Sequence, residues 1–363
     1  MSGVAITGSG VFTPEDIITN DELVAAFNAY AALENARHAE EISAGTRPAL
    51  EPSSAAFIRS ASGIEQRHVL DKKGVLDPEI MHPTLRPRSD TEPGAMAEIA
   101  LKAAQTALAE AGRAPKDIGA VICAASNHER AYPAIAVEIQ DLLGIRGFGF
   151  DMNVACSSAT FGIQAAADMI RGGSVSSVLM VNPEICSAHL EWRDRDCHFI
   201  FGDVATAVVL ERAEAASGPA FEILATKCTT QFSNNIRNNN GFWRDMLFMQ
   251  EGRRVFREVV PIVTQHIADQ LLEAGVAAQD LRRLWLPQAN KTMNDLIGKK
   301  VLGRVPEAGE QPNILQHYAN TSSAGSIIAF SQHSADLQPG DLGLICSFGA
   351  GYSVGSVLLR RVT

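Results

Sequence analysis

The chain has 363 residues, 46% hydrophobic and 20% charged, and its 41 Asp and Glu against 31 Lys and Arg leave a net charge of −10. A length well beyond the usual domain size of about 100–150 residues calls for one large α/β domain or two fused halves. The acidic balance sets aside a protein that lives on nucleic-acid phosphates, and no apolar run approaches the roughly 18 residues that span a bilayer.

The opening MSGVAITGSGVFTP lacks the basic and apolar regions of a secretory signal. Residues 20–56 are Ala-rich and charged and carry the weakest pattern, which predicts an inserted helix and loop acting as a cap or surface element. A helix follows over Ala97–Ala111, ending at Gly112, and then a strand-like run over Ile118–Ala125. Phe148–Ala155 reads as a strand that turns at Cys156 into a helix opening Ser157-Ser158-Ala159 and stopping at Gly172-Gly173; Val178–Val181 is again strand-like.

The second half repeats this order. A helix over Val263–Ala274 ends at Gly275, 163 residues after Gly112, and Leu281–Leu286 follows as a strand. Asn320-Thr-Ser-Ser opens an apolar helix 164 residues after Cys156, and Leu342–Cys346 is the next strand. Three segments in one order at nearly constant offset imply duplication. The expected architecture is a five-layered αβαβα fold of two halves, residues 1–212 and 213–363, related by a pseudo-twofold axis, with the continuously apolar strands buried on both faces.

Cys156 is the candidate nucleophile. A helix N-terminus offers free N–H groups and a positive dipole end, which predicts an acidic thiol. The other cysteines (Cys123, Cys186, Cys197, Cys228, Cys346) show no CxxC or zinc-type spacing, so reduced thiols in a cytoplasmic protein are expected.

The blocks DMNVACSSATFGIQAA, FGDVATAVVLE, PQAN, YANTSSAGS and SFGAGYSVGS, with GSGVFTP and SGIEQRH near the start, resemble β-ketoacyl-acyl-carrier-protein synthase III of the thiolase superfamily. The resemblance implies that an acyl thioester acylates Cys156 and that a second thioester then attacks it. By the same resemblance Asn320 bonds the second thioester's carbonyl, and backbone N–H groups of Ala350 and Cys156 form the oxyanion hole in the Phe348–Gly351 turn. The same resemblance implies that Arg195 packs against coenzyme A with Phe57 on the other side of its adenine, that Tyr132 reaches across the interface of a homodimer into the partner subunit's acyl pocket, and that Phe348 belongs to the substrate pocket. Coenzyme A or carrier-protein thioesters are the implied substrates, with no metal and no permanently bound cofactor.

One position departs from the family pattern. Where the family reads His-Gln-Ala-Asn, this chain reads Pro287-Gln288-Ala289-Asn290. Proline has no side-chain donor and no N–H, and one lost oxyanion donor costs about 2.7–4 kcal/mol. Malonyl decarboxylation is therefore in question, whereas acyl transfer through Cys156 is not. Asn127 lies 163 residues before Asn290, so His128 and Glu129 are candidate replacement acid/base groups; His317 is another, Glu184 closes the strand after the Cys156 helix on the side expected to face the site, and His198 reads as a strand residue near Phe201 with no chemistry assigned. The leading expectation is a carbon–carbon-forming ketosynthase of fatty-acid or specialised polyketide metabolism, for example of cyclohexanediones or alkylresorcinols. The alternatives are a non-decarboxylating acyltransferase that makes esters or amides, and a non-catalytic partner of another synthase.

Overall fold

A computed structural model describes residues 3–239 and 246–362. The first half runs β1 (Val4–Phe12), β2 (Asp16–Thr19), α1 (Asn20–Arg37), α2 (Ala39–Ser43), α3 (Ala55–Ser62), β3 (Gln66–Val69), α4 (Lys72–Leu76), α5 (Ala95–Ala111), β4 (Ala120–Ala124), α6 (Ile135–Leu143), β5 (Phe148–Met152), α7 (Ser158–Arg171), β6 (Ser177–Ile185) and β7 (Asp203–Arg212). The second runs β8 (Phe221–Ser233), β9 (Ile236–Asn238), β10 (Phe248–Gln250), α8 (Gly252–Ala274), β11 (Leu281–Trp285), α9 (Lys291–Leu302), α10 (Leu315–Tyr318), α11 (Gly325–Gln332), β12 (Leu342–Gly349) and β13 (Gly351–Arg361).

The main sheet has nine strands in the order β11-β12-β13-β8-β1-β7-β6-β4-β5. In the first half β1–β7 and β7–β6 are antiparallel, whereas β6–β4 and β4–β5 are parallel. The second half repeats this ladder, with β8–β13 and β13–β12 antiparallel and β12–β11 parallel. Among the described residues the two ladders pair with each other through Ala5↔Glu222 and Ile6↔Phe221.

Alternation along the strands builds the layers. Ile122, Met180 and Val208 face a central core with Ile345 and Val357 of the other half, and α7 and α11 lie within it. Val121, Leu179 and Val209 face the opposite way, onto α5 and α6. Leu344, Cys346 and Leu358 meet α8 and α9 in the same manner. The result is the five-layered thiolase-like arrangement expected from the duplication. Gly112 and Gly275 end α5 and α8 in the left-handed region, at φ 64° and 67°, where a Cβ would be strained.

Three local differences from the sequence reading matter. Helix α8 begins at Gly252, well before the regular stretch at Val263. The helix expected to open at Asn320 starts instead at Gly325, after a short 3₁₀ turn over Ser322–Ala324. The 20–56 segment forms α1, locked at its start by a Thr19–Glu22 capping box. Its Leu23 and Phe27, with Ile58 of α3, pack on Trp192, Phe199 and Phe201 as a separate core. The insert is therefore built into the wall beside the site.

Candidate active site

Two backbone elbows create the site. Between β5 and α7, Ala155 takes φ 48°, which swings Cys156 out at the helix start. The turn is held by Asn153 Oδ1, which accepts the Ala155 N–H at 2.9 Å, and by Ser158 Oγ, which accepts the Val154 N–H at 2.9 Å and donates to the Ala155 carbonyl at 2.7 Å. In the other half Ala319 takes φ 56° just before Asn320. The Asn320 N–H donates to the Ile200 carbonyl at 2.9 Å, and its carbonyl accepts the Gly202 N–H at 3.1 Å. Its Oδ1 accepts the Ser322 N–H at 2.9 Å, which leaves the amide nitrogen as the donating end.

Ser322, at φ 51°, sends its hydroxyl to Cys156 Sγ at 3.3 Å. Cys156 and Asn320 line one cavity of about 970 Å³, together with Phe57, Phe201, Phe248 and Phe348. The turn after β12 presses on Cys156: a Cβ on Gly349 would stand 2.8 Å from both its Cβ and its N. Ser157 Oγ donates to the Ser353 carbonyl at 3.1 Å, and Ser353 Oγ lies 3.0 Å from the Ala350 carbonyl. Ala350 is thereby fixed beside the nucleophile turn.

The thiol is not acidic as the helix terminus alone predicts. Burial pushes Cys156 up to about 11, the nearby Glu184 carboxylate adds to that, and the Ser322 hydroxyl only partly opposes it. Enclosure removes the water that would solvate a thiolate, and this outweighs the helix end. Glu184 itself is 1% exposed, and burial pushes it up to about 7 against the pull of its serine donors.

Neither replacement acid/base candidate reaches the cavity lining. His128 is largely buried with its Nε2 4.0 Å from Asp151, and Glu129 accepts the Met96 N–H at 3.2 Å at the start of α5. The Glu129 side chain is turned to the N-terminal end of α5, which attracts a carboxylate. His198 stacks on Phe27 at 4.6 Å, and neither it nor His317 lines the cavity. Cys123, His128 and Asp151 form the one metal-capable group found among the described residues. Both Asp151 oxygens, however, accept α6 N–H groups at 2.8 Å, so the carboxylate serves as a helix cap.

Phe57 lines the cavity mouth, but the Arg195 guanidinium lies over its ring, 4.5 Å from the centroid, with its Nε donating to the Pro52 carbonyl at 2.8 Å. The two residues touch, and no ring fits between them in this arrangement. A guanidinium and an aromatic face attract each other when nothing else occupies the slot. Tyr132 is 85% exposed and lies outside this chain's own cavity lining.

The family described as 3-oxoacyl-[acyl-carrier-protein (ACP)] synthase III matches residues 150–231, and its C-terminal counterpart matches residues 271–361. The beta-ketodecanoyl-[acyl-carrier-protein] synthase of Pseudomonas aeruginosa is 54% identical over 347 residues, which cover 93% of this chain and 99% of that protein. The chain belongs to the β-ketoacyl-acyl-carrier-protein synthase III family. A synthase III of Granulibacter bethesdensis is 30% identical over 98% of both chains. The crystal structure of the Aquifex aeolicus synthase III superposes with a TM-score of 0.80 at 25% identity, covering 99% of this chain and 100% of that one.

Within this synthase III fold Pro287 is buried, and its carbonyl accepts Asn294 Nδ2 at 2.7 Å. Ala289 and Asn290 line the cavity, but Pro287 does not. Asn290 caps α9 by accepting the Met293 N–H and donates to the Ala61 carbonyl at 2.7 Å. The residue that sequence reasoning missed is Ser322, and a signal for it exists: it follows Asn320 by the same two positions as Ser158 follows Cys156. Among the described residues no helix is long and apolar enough to cross a membrane, and all six cysteines are unpaired.

Proposed function

We propose that the two halves, residues 1–212 and 213–363, work as one thioester condensing enzyme of cytoplasmic fatty-acid synthesis. The Cys156 sulfur attacks the carbonyl of an acyl thioester, and the departing thiol carries away the proton. A second, carrier-protein-bound malonyl thioester then loses carbon dioxide, and the electron pair left on its α-carbon attacks the Cys156 thioester. A β-ketoacyl thioester forms, and Cys156 regains a proton. Asn320 donates to the enolate oxygen, and the N–H groups of Ala350 and Cys156 receive the acyl oxygen.

The observation that carries this reading is that Cys156 and Asn320, from two different halves, line the same cavity of about 970 Å³. The printed name of the Pseudomonas aeruginosa relative, a beta-ketodecanoyl-[acyl-carrier-protein] synthase, favours a medium acyl chain. The aromatic lining fits such a chain. A homodimer is part of the proposal: Tyr132 is 85% exposed, Phe148 on the sheet-edge strand β5 is 45% exposed, and covering such surface favours association.

Pro287 supports a second reading, in which the acyl group passes to an alcohol or amine without decarboxylation, because the donor expected at that position is absent. One experiment separates the two. The protein is loaded with octanoyl-CoA, the adduct on Cys156 is verified by intact mass, and malonyl-carrier protein is added. Carbon dioxide released together with a ten-carbon β-ketoacyl product supports the condensing reading. A persistent adduct with no gas release overturns it in favour of simple acyl transfer.

A further inference from the structure

We propose that Glu184, a buried carboxylate outside the cavity lining, is the positioning residue that holds the nucleophile elbow and the donor-amide elbow in register. Glu184 stands at the end of β6, between the loop after β4 and the turn before α11. It accepts the Ser126 N–H at 3.0 Å and the Ser126 hydroxyl at 2.6 Å. From the other half it accepts the Ser323 N–H at 3.2 Å and, more closely, the Ser323 hydroxyl. One side chain thus clamps one serine from each half.

Each arm of the clamp continues to the reacting groups. Ser323 follows Ser322, whose hydroxyl is on Cys156 Sγ and whose N–H is on Asn320 Oδ1. On the other arm, the Ser126 carbonyl accepts Asn153 Nδ2 at 2.8 Å, and Asn153 Oδ1 holds the Ala155 N–H that sets the Cys156 turn. An ionised carboxylate has enough lone pairs to take all four serine donors, and a neutral amide does not. The groups packed around Glu184 include the Cys186 thiol at 3.9 Å, with Cys156 and Cys123 near enough to feel its charge. Among the bonds of the described residues, none to its carboxylate comes from a lysine, arginine or histidine. Ionised Glu184 therefore opposes the Cys156 thiolate while it fixes the thiol's position.

The proposal rests on the condensing reading for its purpose but is tested partly without it. Cys156 labelling by iodoacetamide is followed by peptide mass from pH 6 to 9 in the wild type, Glu184→Gln and Ser323→Ala, alongside acylation by octanoyl-CoA. Both variants are expected to acylate at least tenfold more slowly, while Glu184→Gln labels with iodoacetamide no more slowly than the wild type. The labelling profile of the wild type should inflect near pH 7, that of Ser323→Ala at a higher pH because a donor that holds Glu184 down is lost, and that of Glu184→Gln should not inflect. Acylation within twofold of wild type in both variants, labelling that falls in parallel with acylation, or an inflection that survives Glu184→Gln overturns the proposal. Should Glu184→Gln fail to fold, Ser126→Ala and Ser323→Ala decide it: each must slow acylation tenfold with labelling retained. A wild type that takes no acyl group at all sinks the condensing reading, and the labelling inflection still judges Glu184.

Discussion

The elbow at Cys156 and the elbow at Asn320 are copies of one device put to opposite uses. Each is set by an alanine in the left-handed region, φ 48° at Ala155 and 56° at Ala319, and each has a serine three residues after that alanine, Ser158 or Ser322, whose hydroxyl or N–H braces the turn. In the first half the elbow presents a thiol at the start of the 14-residue helix α7. In the second it presents an amide, and regular helix begins only at Gly325. The connections beside the elbows differ more. Between β12 and β13 the chain turns at Ala350 alone, and Gly349 presses on Cys156. The corresponding stretch between β6 and β7 is the long loop over residues 186–202, which carries Arg195 and builds the cavity wall. Duplication supplies the positions, and the side chains and connections that diverged supply the chemistry.

The largest test of that division of labour is to remove each elbow's side chain in turn. Cys156→Ala should abolish the acyl adduct in intact mass. Asn320→Ala should keep the adduct and slow carbon–carbon bond formation by about 100- to 1,000-fold, as the loss of one oxyanion donor does. If Asn320→Ala also prevents acylation, the two elbows are not separable in function.

The duplication was legible because it is written in helix stops and apolar runs. Gly112 and Gly275 mark equivalent left-handed helix ends, and β4 and β11 are buried strands at the expected places. The matching places of Cys156 and Asn320 at the two elbows were legible for the same reason. The acidity of the thiol was not, since it depends on what encloses the sulfur and on the Glu184 charge, both contributed by distant segments. His128 and Glu129 occupy a loop at the mirrored position, but sequence cannot say which way a loop side chain turns. The approach of His128 to Asp151 and the bond of Glu129 to the start of α5 are tertiary facts. Sequence places Arg195 and Phe57 on opposite sides of an adenine, whereas here they touch directly, with Arg195 anchored on the Pro52 carbonyl of the insert.

A smaller effect is expected at Pro287, where the proposed loss of a side-chain donor lies. Pro287→His restores a side-chain donor beside Ala289 and Asn290, which line the cavity. Decarboxylation of a malonyl thioester should rise by about 10- to 100-fold, below the full value of a positioned donor because the loop shaped by proline holds its carbonyl to Asn294. An unchanged rate would mean that the missing histidine is not what limits this reaction.

Smaller again is the contact through which the second half presses on the first. Gly349→Ala places a methyl 2.8 Å from Cys156 backbone and Cβ atoms, so the nucleophile turn must shift. Overpacking of this kind costs about 1–3 kcal/mol. Acylation should slow by roughly tenfold on the same energy scale, since about 1.4 kcal/mol is a factor of ten, and the melting temperature should fall. A variant with wild-type acylation would show that the turn does not position the thiol.

The smallest effect concerns how the wall built by residues 186–202 receives the acyl donor. Arg195 and Phe57 already satisfy each other, at an exposed-site worth of about 0.5–1 kcal/mol. Adenine must exchange with Arg195 to reach the ring, and the net gain from stacking is the difference between two similar attractions. Phe57→Ala should therefore raise the KM for octanoyl-CoA by only about two- to fivefold, the size of that small energy, and leave kcat unchanged. The KM for the same acyl group on a carrier protein, which brings no adenine, should stay put. Equal KM changes for both donors would mean that Phe57 acts on the shared pantetheine arm or the acyl chain, and the slot beside Arg195 would lose its assignment to the nucleotide.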